Sequence, residues 1–289
     1  MTKDLISKQL ALSGFPFQLR IEKEVRLTEG RHGWAVKAAE QAWRNREADN
    51  SGFIDLVLEH THYSTLRLVV ECKRQRSSDK RELQWCFLLP EGQAKTTDVV
   101  RCFSVDAWSA SGPNYGPGAV RVWDDVRITP PSFQSEFCVM NSDEKRRPIL
   151  ESSCRDLLDS LDALAEEEIK IAQRQSSHFR AFYIPAIVTN AKLAACMFDP
   201  AFVSLADGVI PEDKYIIEVV PFIRFRKSLV NTFPEDDLVS SLKKANQARE
   251  RTVFVVNSEC LADFLTGWHI APFDPFENYA ILRRLREAR

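Results

Sequence analysis

What is scarce in this chain removes whole classes of protein. No charge of one sign prevails: Lys and Arg total 39 and Asp and Glu 41, a formal net charge of -2, so bulk charge points to no polyanionic partner and only a local basic face would bind one. There is no Cys-x-x-Cys pair among the seven cysteines, and several of them (Cys72, Cys86, Cys102, Cys138) sit in apolar, strand-like stretches. That pattern indicates reduced, buried thiols of a cytoplasmic protein, not a disulfide frame or a zinc site. The first residues, MTKDLISKQLALSGF, lack the long apolar stretch of a secretory signal, and no apolar run approaches the ~20 residues of a membrane span. A phosphate-binding Gly-x-x-x-x-Gly-Lys-Ser/Thr loop is missing, as are a His-Glu-x-x-His helix and a serine-hydrolase elbow. Internal repeats and low-complexity segments are also absent.

What remains is the composition of a globular protein, with 289 residues, 44% hydrophobic and 28% charged. A chain of this length buries a full core without covalent staples. Gly14-Phe15-Pro16, followed by Phe17, Ile21 and Val25, predicts a helix over 16–27. Residues 33–44 are ambiguous between strand (Trp34, Val36) and helix (the alanines). Strand-like runs are expected near 98–104 and 119–128, with a Gly/Pro loop, SASGPNYGPG, between them. Residues 142–148 read as a charged linker, and 149–174 as a long amphipathic helix with Leu150, Cys154, Leu157, Leu158, Leu161, Leu164 and Ala165 on one side. FYIPAIVTNA, KLAACMF, YIIEVVPFIRF and TVFVVN read as strands, PEDDLVSSLKKANQARE and SECLADFL as helices.

The most informative pattern is FIDLVLE and LRLVVECK, two strand-like runs separated by HTHYST. A turn centred on Tyr63 sets Glu59 opposite Arg67 and Asp55 opposite Glu71. Like charges directly across a ladder destabilise it, so something positive belongs between Asp55 and Glu71, and a metal ion is the obvious choice. Lys73, two residues beyond Glu71, projects from the same face ~6–7 Å further along.

Asp55 followed by Glu71-Cys72-Lys73 resembles the PD-(D/E)xK nuclease superfamily, whose fold is restriction-endonuclease-like. The bare (D/E)-x-K pattern recurs at Asp143-Glu144-Lys145, Glu168-Ile169-Lys170 and Glu212-Asp213-Lys214, but only Glu71 ends an apolar strand with a strand-borne Asp in register. The resemblance implies an α/β fold with a mixed central sheet flanked by helices, here as one domain over 1–289. Residues 80–145 would be an insertion and 200–289 an α/β extension. The 149–174 helix and the 180–189 strand would complete the core, and later segments also resemble uncharacterised bacterial members.

The activity implied is metal-dependent cleavage of nucleic acid, DNA in preference to RNA, in defence or DNA processing. Mg²⁺, with Mn²⁺ as substitute, would be held by Asp55, Glu71 and the Cys72 carbonyl. Lys73 would orient the attacking water and offset transition-state charge, or lose its proton and act as base. Many relatives carry an acid directly after the aromatic residue of the first helix. Here Gln18 stands there, and Glu22, one turn on, is the substitute acid. Arg74, Arg76 and Lys80, beside Lys73, supply charge for phosphate contacts. A second cluster, Arg224, Arg226 and Lys227, reads as core-and-rim alternation, His60 and His62 as hairpin-tip surface, and Trp85 as packing. A homodimer would present two sites, and a partner could switch the activity on. The competing readings are an edge strand with an ordinary ion pair, a silent nucleic-acid-binding subunit of the same fold, and an interaction module docking through the 149–174 helix.

Overall fold

The computed structural model of the chain describes residues 3–45, 50–63, 66–75, 84–99, 102–106, 114–118, 126–140, 149–174, 180–229 and 250–270. Two helices, α1 (Lys3–Leu12) and α2 (Phe15–His32), open it, followed by β1 (Trp34–Asn45), β2 (Asn50–His60) and β3 (Leu66–Lys73). Next come β4 (Gln84–Pro90), β5 (Thr96–Asp98), β6 (Cys102–Asp106), β7 (Asn114–Gly118), β8 (Val126–Ser132), β9 (Gln134–Ser135) and β10 (Phe137–Met140). The long helix α3 (Ile149–Arg174) leads into β11 (Arg180–Thr189), β12 (Lys192–Phe198), β13 (Tyr215–Val220) and β14 (Phe222–Ser228). β15 (Glu250–Asn257), α4 (Leu261–Thr266) and β16 (Trp268–Ile270) complete the described chain.

The principal sheet runs β1-β2-β3-β11-β15-β14-β9, with β6 paired to β11 and β7 to β6. It is mixed: β1, β2 and β3 are antiparallel, whereas β3, β11 and β15 run parallel. A parallel neighbour needs a crossover, and α3 lies between β3 and β11 in the chain and packs on both. Burial on both sides explains the apolar runs in β3 and β11. Leu56, Leu58, Leu66, Leu68 and Val70 join Ile21 and Val25 of α2 on one face. Val57 and Val69 join Leu157, Leu161 and Leu164 of α3 on the other.

A second sheet, β10-β4-β12-β13, and a three-stranded one, β16-β8-β5, extend this core. The segment expected as one strand, YIIEVVPFIRF, is divided at Pro221: Val220 pairs with Leu193 in the second sheet and Phe222 with Val256 in the principal one. Proline has no N–H for a continuous ladder, so the chain changes sheets there. Pro185 is tolerated inside β11 for a related reason. It falls between the residues that pair with β6, Arg180–Tyr183, and those that pair with β15, from Ala186 onward.

The expected 149–174 helix and 180–189 strand have the bounds read from sequence, and the helix expected over 16–27 is α2, which extends to His32. Gly33 ends it in the left-handed conformation (φ 69), its N–H returning to the Glu29 carbonyl, and β1 starts at the next residue. The ambiguous 33–44 segment is therefore strand. Part of the expected Gly/Pro loop is strand too, since Asn114–Gly118 pairs with β6. The expected linker at 142–148, the 119–125 part of the expected strand and nearly all of the helix expected from Pro234 lie outside the described residues; Glu250, its last residue, begins β15.

Candidate functional site: the open end of the β2–β3 hairpin

The hairpin has the register expected from its sequence, Glu59 opposite Arg67, Leu58 opposite Leu68, Val57 opposite Val69 and Leu56 opposite Val70. One step further brings Asp55 to Glu71. Paired ladder ends before that step, and the Asp55 carboxylate instead accepts the Cys72 N–H at 2.6 Å. The two acids are thus drawn together at the open end of the hairpin. Glu71 in turn is met by the Lys73 ammonium at 2.6 Å.

Two carboxyls in a partly buried place cannot both ionise freely. Burial first, then the Glu71 charge, push the Asp55 pKa up to about 7, against the opposing pull of the Cys72 N–H and of Lys73; Glu40 adds to the rise. For Lys73 burial alone would lower the pKa, but Glu71 in contact, together with Asp55 and Asp156, outweighs it and holds the ammonium above its ordinary value. Of the two roles open for this lysine, a persistent cation suits orienting water and offsetting charge, not removing a proton. Burial, then Asp55 and Glu71, lift the Cys72 thiol well above its usual range, so it stays protonated. Cys72 contributes backbone, and the group engaged here is its N–H.

The helix α2 reaches this site through Gln18. This side chain is buried, and its amide donates to the Glu40 carboxylate and, at 3.4 Å, to the Asp55 carbonyl. Gln18 thus occupies the helix position expected to meet the hairpin, with an amide in place of an acid. Glu22 does not accompany it. Its carboxylate accepts from Arg26 Nε and NH2 at 3.0 and 2.7 Å on the helix surface. Glu40, missed in the sequence, is the acid that the fold brings up. A bulge at Lys37 shifts the β1–β2 register from Val36 opposite Leu58 to Ala38 opposite Val57. With Ala39 opposite Leu56 and Gln41 opposite Ile54, Glu40 faces Asp55. Without the bulge Ala39 would stand there, and nothing in the sequence marks it.

Among the other expected residues, Arg74 is exposed and donates to the Ser13 carbonyl at 3.0 Å, while Arg76 and Lys80 lie outside the described residues. The second basic cluster is structural, as expected. Arg224 is buried, with its guanidinium over Phe254 and bonded to Ser132. Arg226 pairs with Glu250 at 2.6 Å and Lys227 with Glu151 at 2.8 Å. Trp85 is core. His60 departs from the expected surface placement: it is buried, edge-on to Trp34 at 5.1 Å, and burial with the neighbouring His62 and His32 lowers its pKa to about 4. It is a neutral packing residue, whereas His62 remains exposed.

Among the described residues no three or more His, Cys, Asp or Glu side chains form a ready-made metal cage. Mg²⁺ does not require one, since it is commonly held by one or two carboxylates with waters and substrate phosphate. The pair Asp55 and Glu71, at odds with each other without a cation, fits that mode. No helix among the described residues is long and apolar enough to cross a membrane. No protein-family model, curated protein or solved structure matches this chain.

Proposed function

We propose that the open end of the hairpin is the active site of a metal-dependent phosphodiesterase acting on nucleic acid, DNA in preference to RNA, of the PD-(D/E)xK kind. The observation that carries this reading is the opposed pair Asp55 and Glu71 at adjoining strand ends, with the Lys73 ammonium 2.6 Å from Glu71. The helix α2, the antiparallel strands β1–β3 and, after the β4–β10 segment, the crossover helix α3 and the parallel strand β11 support it, as does Gln18 meeting the site from α2.

Asp55 and Glu71 would hold Mg²⁺, with the Cys72 carbonyl as a third ligand. The ion would supply an acidified water and a counter-charge for the scissile phosphate. The protein's own contribution follows from its geometry. The Cys72 N–H fixes the Asp55 carboxylate, so that ligand is oriented before substrate arrives. Glu71 fixes the Lys73 ammonium, a charge-assisted donor aimed at the place where negative charge accumulates on the phosphoryl oxygens. Arg74 beside it would meet the phosphate backbone.

The test is incubation of the purified full chain with labelled single- and double-stranded DNA and RNA, in Mg²⁺, Mn²⁺ or EDTA, beside Lys73→Ala. Cutting that needs metal and disappears in the variant supports the reading. Equal cutting by both proteins removes Lys73 from the mechanism. A protein that binds nucleic acid without cutting any form of it would instead be the silent subunit of the competing reading.

A further inference from the structure

Glu40 is one of two non-glycine residues with positive φ among the described residues, and the two differ in setting. Glu91 (φ 65) lies in the turn that follows β4, where such a conformation is ordinary. Glu40 (φ 50) lies inside β1, three residues past the bulge. A left-handed conformation costs an L-residue with a side chain stability, and in folded proteins such outliers gather at functional sites. A strand gains nothing from this one for pairing, since Ala39 and Gln41 on either side keep their partners in β2. Its consequence is the direction of one side chain. The Glu40 carboxylate meets the amide of Gln18, and the same amide reaches the Asp55 carbonyl.

We propose that Glu40 is a positioning residue of the Asp55–Glu71 site, its carboxylate held by Gln18 so that one buried amide ties the acid of β1 to the ligand-bearing strand β2 and adds a negative charge beside the cation. The inference rests on the reading above that this site takes a divalent cation. Glu40 is itself exposed, so its charge stands at the accessible side of the site and not in the core. Gln18 is the buried member, and an amide at that place can serve two acceptors at once, which a carboxylate could not.

The measurement is Mn²⁺ affinity by titration calorimetry on the full chain, with thermal melting and DNA cleavage on the same samples. Outer partners of metal ligands typically contribute about 10–100-fold in affinity, so Glu40→Gln is expected to bind Mn²⁺ about tenfold more weakly or worse. Its melting temperature should stay close to that of the wild type. Glu40→Gly should show the same loss of affinity while melting no lower, because glycine adopts this backbone freely. The exchange variant, Gln18→Glu with Glu40→Gln, keeps one carboxylate and one amide in contact but sets an acceptor against the Asp55 carbonyl, so it should not recover the binding. A wild type that binds Mn²⁺ and cleaves, beside a Glu40→Gln variant of equal affinity, would overturn the role of Glu40 and leave the nuclease reading standing. Lower melting with unchanged Mn²⁺ affinity would show a purely structural contact and overturn it too. An exchange variant that folds and binds Mn²⁺ as tightly as the wild type would overturn the tie through Gln18 to the Asp55 carbonyl. A wild type that neither binds Mn²⁺ nor cleaves would remove both the inference and the reading beneath it.

Discussion

The two ends of one hairpin are built from similar residues and reach opposite electrostatic outcomes. At the tip, Glu59 meets Arg67 at 2.8 Å and Lys37 at 3.3 Å, and Glu168 of α3 meets Lys37 at 2.7 Å and the Tyr183 hydroxyl at 2.5 Å. Burial alone would raise the Glu168 pKa, but the bonds from Lys37 and Tyr183, with Arg67 nearby, bring it below the usual carboxylate range. Each charge there is answered by the protein itself. At the open end Glu71, Asp55 and Asp156 share Lys73, and Asp55 is driven the other way, up to about 7, by burial and by Glu71. The open end is the one that the protein's own groups leave unbalanced, and the proposed cation would answer it.

The largest effect should come from Lys73→Ala. Removing one preorganised donor from a reacting centre typically costs about 10²–10³ in rate, and cleavage should fall by at least that much while the melting temperature hardly moves. Single-turnover rates at saturating Mg²⁺ give the comparison, and a parallel loss of folding would break the contrast between the two ends.

Glu168→Ala tests the balanced end. It removes one of the two carboxylates that meet the buried Arg67 and Lys37, leaving Glu59 to both, and takes the acceptor from the Tyr183 hydroxyl, so stability should fall by about 1–3 kcal/mol. Denaturant unfolding measures it. Cleavage per folded molecule should survive, because Glu168 lies at the opposite end from Asp55.

Asp55→Asn should have opposite consequences with and without metal. A carboxyl whose folded pKa is raised binds more protons folded than unfolded between about pH 4 and 7, so it takes stability away as pH rises through that window and the full loss is present above about 7. The amide cannot ionise. In EDTA at pH 8 the variant should be more stable than wild type, on the order of 2 kcal/mol, and the difference should vanish toward pH 4. Burial likewise raises Asp162 to about 7, but both proteins share it and it cancels. Added Mn²⁺ should stabilise the wild type and not the variant, reversing the order. Melting curves at pH 5 and 8 decide it, and a variant less stable than wild type in EDTA at pH 8 would contradict the opposed-carboxylate picture.

Glu22→Gln should do least. Its carboxylate sits on Arg26 in an exposed i, i+4 pair, which carries only a few tenths of a kcal/mol, and cleavage should stay within about twofold. A loss approaching that of Lys73→Ala would return Glu22 to the site that its place in the sequence suggested.

Local pattern was enough for much of this molecule. Alternation and a six-residue turn set the β2–β3 register, because a slip of one residue would turn Leu66, Leu68 and Val70 off the face they share with α2. The apolar stripe of α3 marked its span. Other features were illegible for specific reasons. The bulge at Lys37 has no composition signal, yet it decides that Glu40 and not Ala39 stands opposite Asp55. Pro221 was visible, but that the strand would resume in a different sheet depends on which partners wait on either side, Leu193 or Val256. His60 looked like a turn residue because its burial comes from Trp34, far from it in sequence.

By itself the sequence determined that Asp55, Glu71 and Lys73 would lie close together at the open end of a hairpin, since a period of two and a short turn are properties of neighbouring residues. Only the tertiary structure decided how that cluster is completed. Gln18 comes from a helix, Glu40 from a bulged strand and Asp156 from the crossover helix, and their meeting depends on how separate elements pack. Charge balance is a sum over everything within reach of a group: Glu71, Cys72 and Lys73 reach Asp55 from its own hairpin, and Glu40 joins them from a strand whose bulge no local pattern marks.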